Sequence, residues 1–143
     1  MLKVSKLSDY ATVLLVRLAT GPARVQSAAE LAEAVRLEPP TVSKVLKLLA
    51  AAGLVDSRRG ANGGYRLARP VADITIVEII EAIDGPIGMT ECSRREGRCS
   101  HEPHCDVRAP WQRISDAVVQ SLSQIRLADM LAQAPARQAP PDL

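Results

Sequence analysis

Three cysteines lie close together in the chain, at Cys92, Cys99 and Cys105, and two histidines, His101 and His104, stand among them. Thiolates are soft anionic ligands that suit an iron–sulfur cluster or zinc. The spacing contains neither a CxxC pair nor the ferredoxin pattern, so the residues alone favour neither metal. Redox-active thiols without a metal are a third possibility.

The expected compartment narrows these alternatives. We find no signal-peptide pattern at the N-terminus and no run of about 18 apolar residues, the length of a membrane span, so we expect a cytoplasmic protein with no membrane partner. In a reducing compartment an odd number of cysteines is not a disulfide framework. Metal ligation or redox chemistry is therefore expected. The sequence contains no Ser/His/Asp set and no phosphate-binding glycine loop, so no motif in it indicates an enzyme.

A second group of residues with a chemical role is basic. Residues 36–69 hold seven Lys or Arg side chains and two Asp or Glu, whereas residues 70–143 hold seven basic and eleven acidic ones. The formal net charge of +2 conceals this separation. The middle third of the chain is where we expect a polyanion such as DNA to bind.

Helical periodicity predicts the elements that carry these basic residues. A first helix is predicted over residues 9–19, and a second begins at a capping box formed by Ser27 and Glu30. A third begins at Pro39 and stops at Gly53. Two helices joined by a short connection, the second opening with small polar residues, are typical of a helix-turn-helix.

The segment after the third helix predicts a wing. Residues 54–58 and 65–68 have the pattern of two short strands, and the glycine-rich turn between them carries Arg59 next to Arg58. Glycines allow a tight tip to approach phosphates, and Arg59 at that tip is the best candidate for a minor groove. The expected DNA contacts are Thr41, Ser43, Lys44 and Lys47 from the helix, with Arg58 and Arg59 from the wing.

The rest of the chain predicts a helix, a loop and a long helix. Thr75 and Glu78 form a second capping box, which opens a helix that ends near Asp84. We expect a mainly α protein with a small β-hairpin. Its predicted parts are a winged helix-turn-helix domain at 1–84, a cysteine loop at 85–106, a dimerisation helix at 107–132 and a disordered tail at 133–143.

The chain resembles a known family at this point. From Ser5 to about Leu131 it is similar to winged-helix regulators of the IscR and NsrR type, which act in iron–sulfur assembly and the nitric-oxide response. The matches are the opening SKLSDYA, the wing RGANGGY, and three cysteines followed by a helix carrying Trp111. The branch of repressors of the SUF iron–sulfur assembly operon looks nearest. The resemblance implies a homodimer on a palindromic operator, with an iron–sulfur cluster, 2Fe-2S rather than 4Fe-4S, tuning affinity.

Two departures concern the fourth ligand and the recognition helix. The family's assembly regulators use a histidine three residues after the last cysteine, where this chain has Arg108. The nitric-oxide branch uses an aspartate from the other subunit, and Asp9 matches it. We therefore expect Asp9 to complete the site, with His104 and His101 as fallbacks; an acid that the helix dipole stabilises is the simpler interpretation of Asp9. Ser43 stands where a well-known switching member has glutamate, so that switch is not expected.

Three alternative functions remain open from the sequence. The first is a nitric-oxide or redox-responsive regulator of the same family. The second is a DNA-binding protein that binds constitutively and whose loop a zinc ion merely holds. The third is a protein-interaction module whose hairpin binds another protein.

Overall fold

The computed structural model describes residues 3–94 and 99–133. Over that part of the chain the elements run α1 (Lys6–Thr20), α2 (Ala28–Val35), α3 (Pro39–Ala51), β1 (Val55–Arg58), β2 (Gly64–Leu67), α4 (Ile76–Asp84), α5 (Glu91–Arg94), α6 (Arg108–Ser123) and α7 (Leu127–Gln133). Single 3₁₀ turns lie at Val71–Asp73 and Glu102–His104. The predicted mainly helical fold with one β-hairpin is confirmed.

Helix α1 begins three residues before its predicted start, because Ser5 caps it. The Ser5 hydroxyl accepts a hydrogen bond from the backbone N–H of Ser8 at 3.1 Å. Such a cap satisfies one of the orphan donors at a helix start. The buried face of α1 carries Leu14 and Leu15, both fully buried in the core.

Helix α2 has only half of its predicted capping box. The Ser27 hydroxyl accepts from the backbone N–H of Glu30 at 3.1 Å, as expected. The Glu30 carboxylate does not return to Ser27, because Arg24 holds it at 2.8 Å. That hydrogen bond keeps the pKa of Glu30 below its ordinary value of 4.5. The prediction is therefore right about where the helix begins and wrong about the partner of Glu30.

The hairpin and the next helix follow the prediction closely. Strands β1 and β2 pair antiparallel, with Val55 opposite Leu67. At the start of α4 both halves of the predicted capping box are present. Thr75 Oγ1 accepts from Glu78 N at 3.2 Å, and Thr75 N donates to the Glu78 carboxylate at 2.9 Å. Ile79 of α4 joins the same core as α1 and α3.

The predicted helix over 107–132 is two helices. Helix α6 ends at Ser123, and α7 begins at Leu127. Ile125 O accepts from Ile76 N at 3.0 Å, and Leu127 N donates to Ile74 O at 2.8 Å. Because Leu127 is fully buried in the core, α7 packs with the winged domain and does not extend α6. Among the described residues no helix is long and apolar enough to cross a membrane. Gln133, predicted as the first residue of the disordered tail, is the last residue of α7, and residues 134–143 lie outside the described residues.

Candidate DNA interface and cysteine segment

Helix α3 presents the predicted DNA contacts on the face that its core residues leave free. Its buried residues are Val42, Val45, Leu46 and Leu49. Lys44 and Lys47 are exposed, one turn apart, and Thr41 and Ser43 are half-buried beside them. Residues three and four apart share one helix face, so these four polar side chains form one continuous surface.

The turn before α3 is held by Arg36, which has a left-handed backbone with φ of 57°. Its N–H caps α2 by donating to the carbonyl oxygens of Ala32 and Glu33. Glycine or asparagine usually occupies such a position. The exposed Arg36 side chain therefore adds a cation to the connection between α2 and α3.

The wing is fixed at its base and free at its tip. Gln26 N donates to Tyr65 O at 3.0 Å and Tyr65 N donates to Gln26 O at 2.7 Å, which forms an isolated antiparallel bridge beside the hairpin. Gly64, with φ of +152°, permits this approach, because a Cβ there would overlap the Gln26 carbonyl oxygen. Arg58 and Arg59 beyond this base are exposed. The hairpin thus holds two cations away from the core, as a groove-binding wing requires.

An ion pair joins the end of the wing to α4. Arg69, two residues after β2, donates to the Glu78 carboxylate at 2.8 Å. Partial burial raises the pKa of Glu78, but the hydrogen bonds from Thr75 N–H and from Arg69 outweigh burial and hold that pKa below its ordinary value of 4.5. Glu78 is therefore a charged acceptor that fixes the wing's exit and the start of α4 together.

The cysteine segment lies between α4 and α6, and the structure describes its residues 85–94 and 99–107, which include the short helix α5 and one 3₁₀ turn. Cys92 lies in the short helix α5 and is 8 % exposed, with its Sγ 3.2 Å from Thr90 Oγ1. Met89 N donates to the hydroxyl of Ser115, a buried residue of α6, at 2.9 Å. Around Cys92 the predicted cysteine loop thus contains a short helix and polar contacts.

The structure does not gather the predicted ligands into a metal site within one chain. Cys99 and Cys105 are half-buried, whereas Asp9, His101 and His104 are exposed. Among the described residues, no three His, Cys, Asp or Glu side chains come together as a metal-binding group. The donor types suit a soft metal or an iron–sulfur cluster, although the described residues of one chain do not by themselves bring three donors together.

Helix α6 has an exposed apolar face. Trp111 is 38 % exposed and Ile114 44 % exposed, and Val107 just before the helix is 53 % exposed. Their spacing of four and three residues puts them on one side. Within the described chain this side remains open to solvent.

Comparison with known proteins assigns the family. Residues 4–133 match the Rrf2 family, described as iron-dependent transcriptional regulators. The chain belongs to the Rrf2 family. It is 28 % identical to the HTH-type transcriptional regulator NsrR of Shouchella clausii, over 91 % of this chain and 89 % of that protein.

Solved Rrf2-type structures share the fold. The global cysteine regulator CymR of B. subtilis superposes with a TM-score of 0.70 at 29 % identity, over 94 % of this chain and all of that one. The IscR of T. potens superposes with a TM-score of 0.65 at 30 % identity, over 97 % of this chain and 93 % of that one. These relatives are transcription regulators, so this Rrf2 protein is a DNA-binding regulator and not an enzyme.

Sequence reasoning did not find the residues that attach the cysteine segment to the rest of this Rrf2 protein. The Arg94 guanidinium donates to the carbonyl oxygens of Asp84 at 2.8 Å and Pro86 at 3.2 Å. Ser115 was not predicted to have a role. Its burial in the middle of an otherwise exposed helix stretch has no signal in the sequence, since serine is tolerated on either face.

Proposed function

We propose that this Rrf2 regulator is a homodimeric repressor of iron–sulfur cluster assembly genes, acting in the cytoplasm on a palindromic operator. An iron–sulfur cluster held by Cys92, Cys99 and Cys105 controls its DNA affinity. The observation that carries the proposal is the position of all three thiols on one segment that joins the DNA-binding domain to α6. Membership of a family of iron-dependent regulators supports it.

The DNA contacts follow from charge and exposure. Lys44 and Lys47 bind phosphate, while Thr41 and Ser43 face the base edges from the start of α3. Arg58 supports the wing's phosphate contacts, and Arg59 enters the minor groove. A dimer presents two such surfaces about one helical turn apart, which is why the operator is expected to be palindromic.

The fourth ligand is Asp9 of the other subunit, with His104 and then His101 as the substitutes. Asp9 is exposed on the first turn of α1, so a partner can reach it. A carboxylate is a hard ligand among soft thiolates and is the one most easily displaced. When bound, the cluster would supply a removable group, which the protein can lose when iron is scarce or when oxygen or nitric oxide reacts with it. The three thiols have to approach one another to hold it, because this conformation keeps them apart.

Anaerobic purification tests this proposal. We expect iron and sulfide in the protein, with absorption and Mössbauer spectra of a 2Fe-2S cluster, and loss of both in Cys92→Ser. Asp9→Ala should speed cluster loss, whereas His104→Ala should not. An unchanged spectrum in Asp9→Ala together with bleaching in His104→Ala would make the histidine the ligand.

The rivals predict different results in the same preparation. Stoichiometric zinc, no iron, and DNA binding that chelation leaves unchanged would establish the constitutive zinc-held protein. Iron that nitric oxide removes, with release from promoters unrelated to cluster assembly, would establish the nitric-oxide regulator. Metal-free protein whose DNA binding follows thiol oxidation would establish the redox regulator. Absence of a gel shift with DNA upstream of its own gene would favour the protein-interaction module.

A further inference from the structure

The carboxyl end of α4 is bonded to the start of α1. One oxygen of the Asp84 carboxylate, Oδ2, accepts hydrogen bonds from the hydroxyls of Ser5 at 2.7 Å and Ser8 at 2.8 Å. Ser8 is 1 % exposed whereas Asp84 is exposed, so the Ser8–Asp84 hydrogen bond is partly buried. Ser5 is also the cap of α1. Asp84 therefore accepts hydrogen bonds from both serine side chains at the start of α1.

The same residue is bonded to the cysteine segment through its backbone. Arg94, at the end of α5, donates from Nη2 to Asp84 O at 2.8 Å and from Nε to Pro86 O at 3.2 Å. These carbonyl oxygens lie at and just beyond the end of α4, where a cation is favoured by the helix dipole. Gly88 lies beneath Arg94, and a Cβ there would come within 2.6 Å of the Arg94 backbone N. The close approach of α5 to α4 thus depends on both residues.

Cys92 takes its position from this attachment. It lies in the single turn of α5, two residues before Arg94, and the Thr90 and Ser93 side chains close that turn with hydrogen bonds of 2.9 Å. A displacement of Cys92 therefore moves the short helix that Arg94 anchors. At the other end, α1 packs against α3 in the core, so the first turn of α1 lies on the element that supports the recognition helix.

We propose that Arg94 and Asp84 are positioning residues that couple the state of the cysteine segment to the first turn of α1, and through α1 to DNA affinity. The link lies within one subunit. It runs from Cys92 in α5 through Arg94 to the end of α4, and from Asp84 there to Ser5 and Ser8. Its regulatory use rests on the proposed function, because a ligand bound by Cys92 acts directly on α5, the helix that carries this thiol. The link itself is independent of which ligand does so.

Amide hydrogen exchange on the metal-free protein tests the link alone. The Ser8 and Asp9 amides donate to Ser5, at Oγ and at the carbonyl oxygen. Arg94→Ala should raise exchange at these amides about fivefold, the effect of losing roughly one hydrogen bond. Arg94→Lys should restore part of the protection. Arg24→Ala is the control, because Arg24 bonds to a carbonyl oxygen and to Glu30 elsewhere in the chain. It should leave exchange at the Ser8 and Asp9 amides unchanged. Unchanged exchange in Arg94→Ala overturns the link.

DNA affinity tests the coupling. The ratio of dissociation constants with and without iron and sulfide reconstitution is measured on DNA upstream of the protein's own gene. Arg94→Ala should bring that ratio close to one, and Ser8→Ala, which breaks the link at its other end, should do the same. The double variant should add little, since both act on one path. If both single variants keep the wild-type ratio of dissociation constants, the coupling is overturned and the proposed function stands. If the wild-type ratio is itself one, the proposed function is overturned. The hydrogen-exchange experiment then still decides whether the link exists.

Discussion

Glu78 shows how a single carboxylate can connect two functional parts. It accepts from Thr75 at the start of α4 and from Arg69 at the end of the wing. Its folded-state pKa lies below 4.5, so its bonds stabilise the folded protein above that pH and are lost as the pH falls through the lowered pKa. The wing's anchorage is therefore expected to weaken in acid.

Glu78→Gln should reduce the free energy of unfolding by about 1 kcal/mol at neutral pH, because the Arg69 pair is partly exposed and loses only its charge-assisted component. The difference from wild type should shrink to nothing as the pH falls well below 4.5. Urea unfolding across a pH series measures it. Glu81→Gln, on the same helix, serves as the control. A difference that stays constant with pH contradicts the role of the charge.

Lys47 allows the DNA surface to be tested at one residue. Lys47→Ala should weaken binding to every sequence and reduce the slope of log affinity against log salt by about one phosphate contact. A salt titration on specific and unrelated DNA measures both. Lys6→Ala removes the same charge from α1 and should leave the slope unchanged. An equal loss of slope in both variants would show that net charge, not contact, is responsible.

At the scale of elements, the sequence predicts those helix starts that residues within one turn determine. The box of Thr75 and Glu78 forms as its spacing indicates, because both partners are within one turn. The pattern at Ser27 predicts only half of its outcome, since Arg24, outside the pattern, captures Glu30. The break before Leu127 was missed for a similar reason. The apolar stripe continues across it, whereas the backbone of residues 125–127 pairs with Ile74 and Ile76 instead of continuing the helix.

The wing offers a matched test of an element. Gly64→Ala should destabilise the protein and weaken DNA binding, because its Cβ overlaps the Gln26 carbonyl oxygen that holds the base of the hairpin. Gly60→Ala, also at positive φ but with open space around its Cβ, should cost only about 1 kcal/mol of backbone strain. Thermal unfolding and gel shifts separate the two. Equal effects would mean that strain, not the Gln26 contact, limits the wing.

At the scale of the whole molecule, α1, α2, α3, α4, α7 and β1 share the core, while the apolar face of α6 is exposed. The division of the chain into a DNA-binding domain and a dimerisation helix was predicted from periodicity and remains a prediction for the dimer. Periodicity could not show that α7 returns to the core, because a stripe says which face is apolar and not what covers it. Leu127 therefore belongs to the stability of the winged domain.

The exposed apolar face of α6 is the expected interface between two subunits. Ile114→Glu places a charge among Val107, Trp111 and Ile114, so a dimer that buries this face should dissociate while each subunit stays folded. Sedimentation should show a monomer, with wild-type helicity and weak binding to a single half-site but not to the palindrome. Gln120→Glu adds the same charge at an exposed position of α6 and should remain dimeric. If Ile114→Glu also stays dimeric, another surface joins the subunits, and Asp9 would have to reach its partner from there.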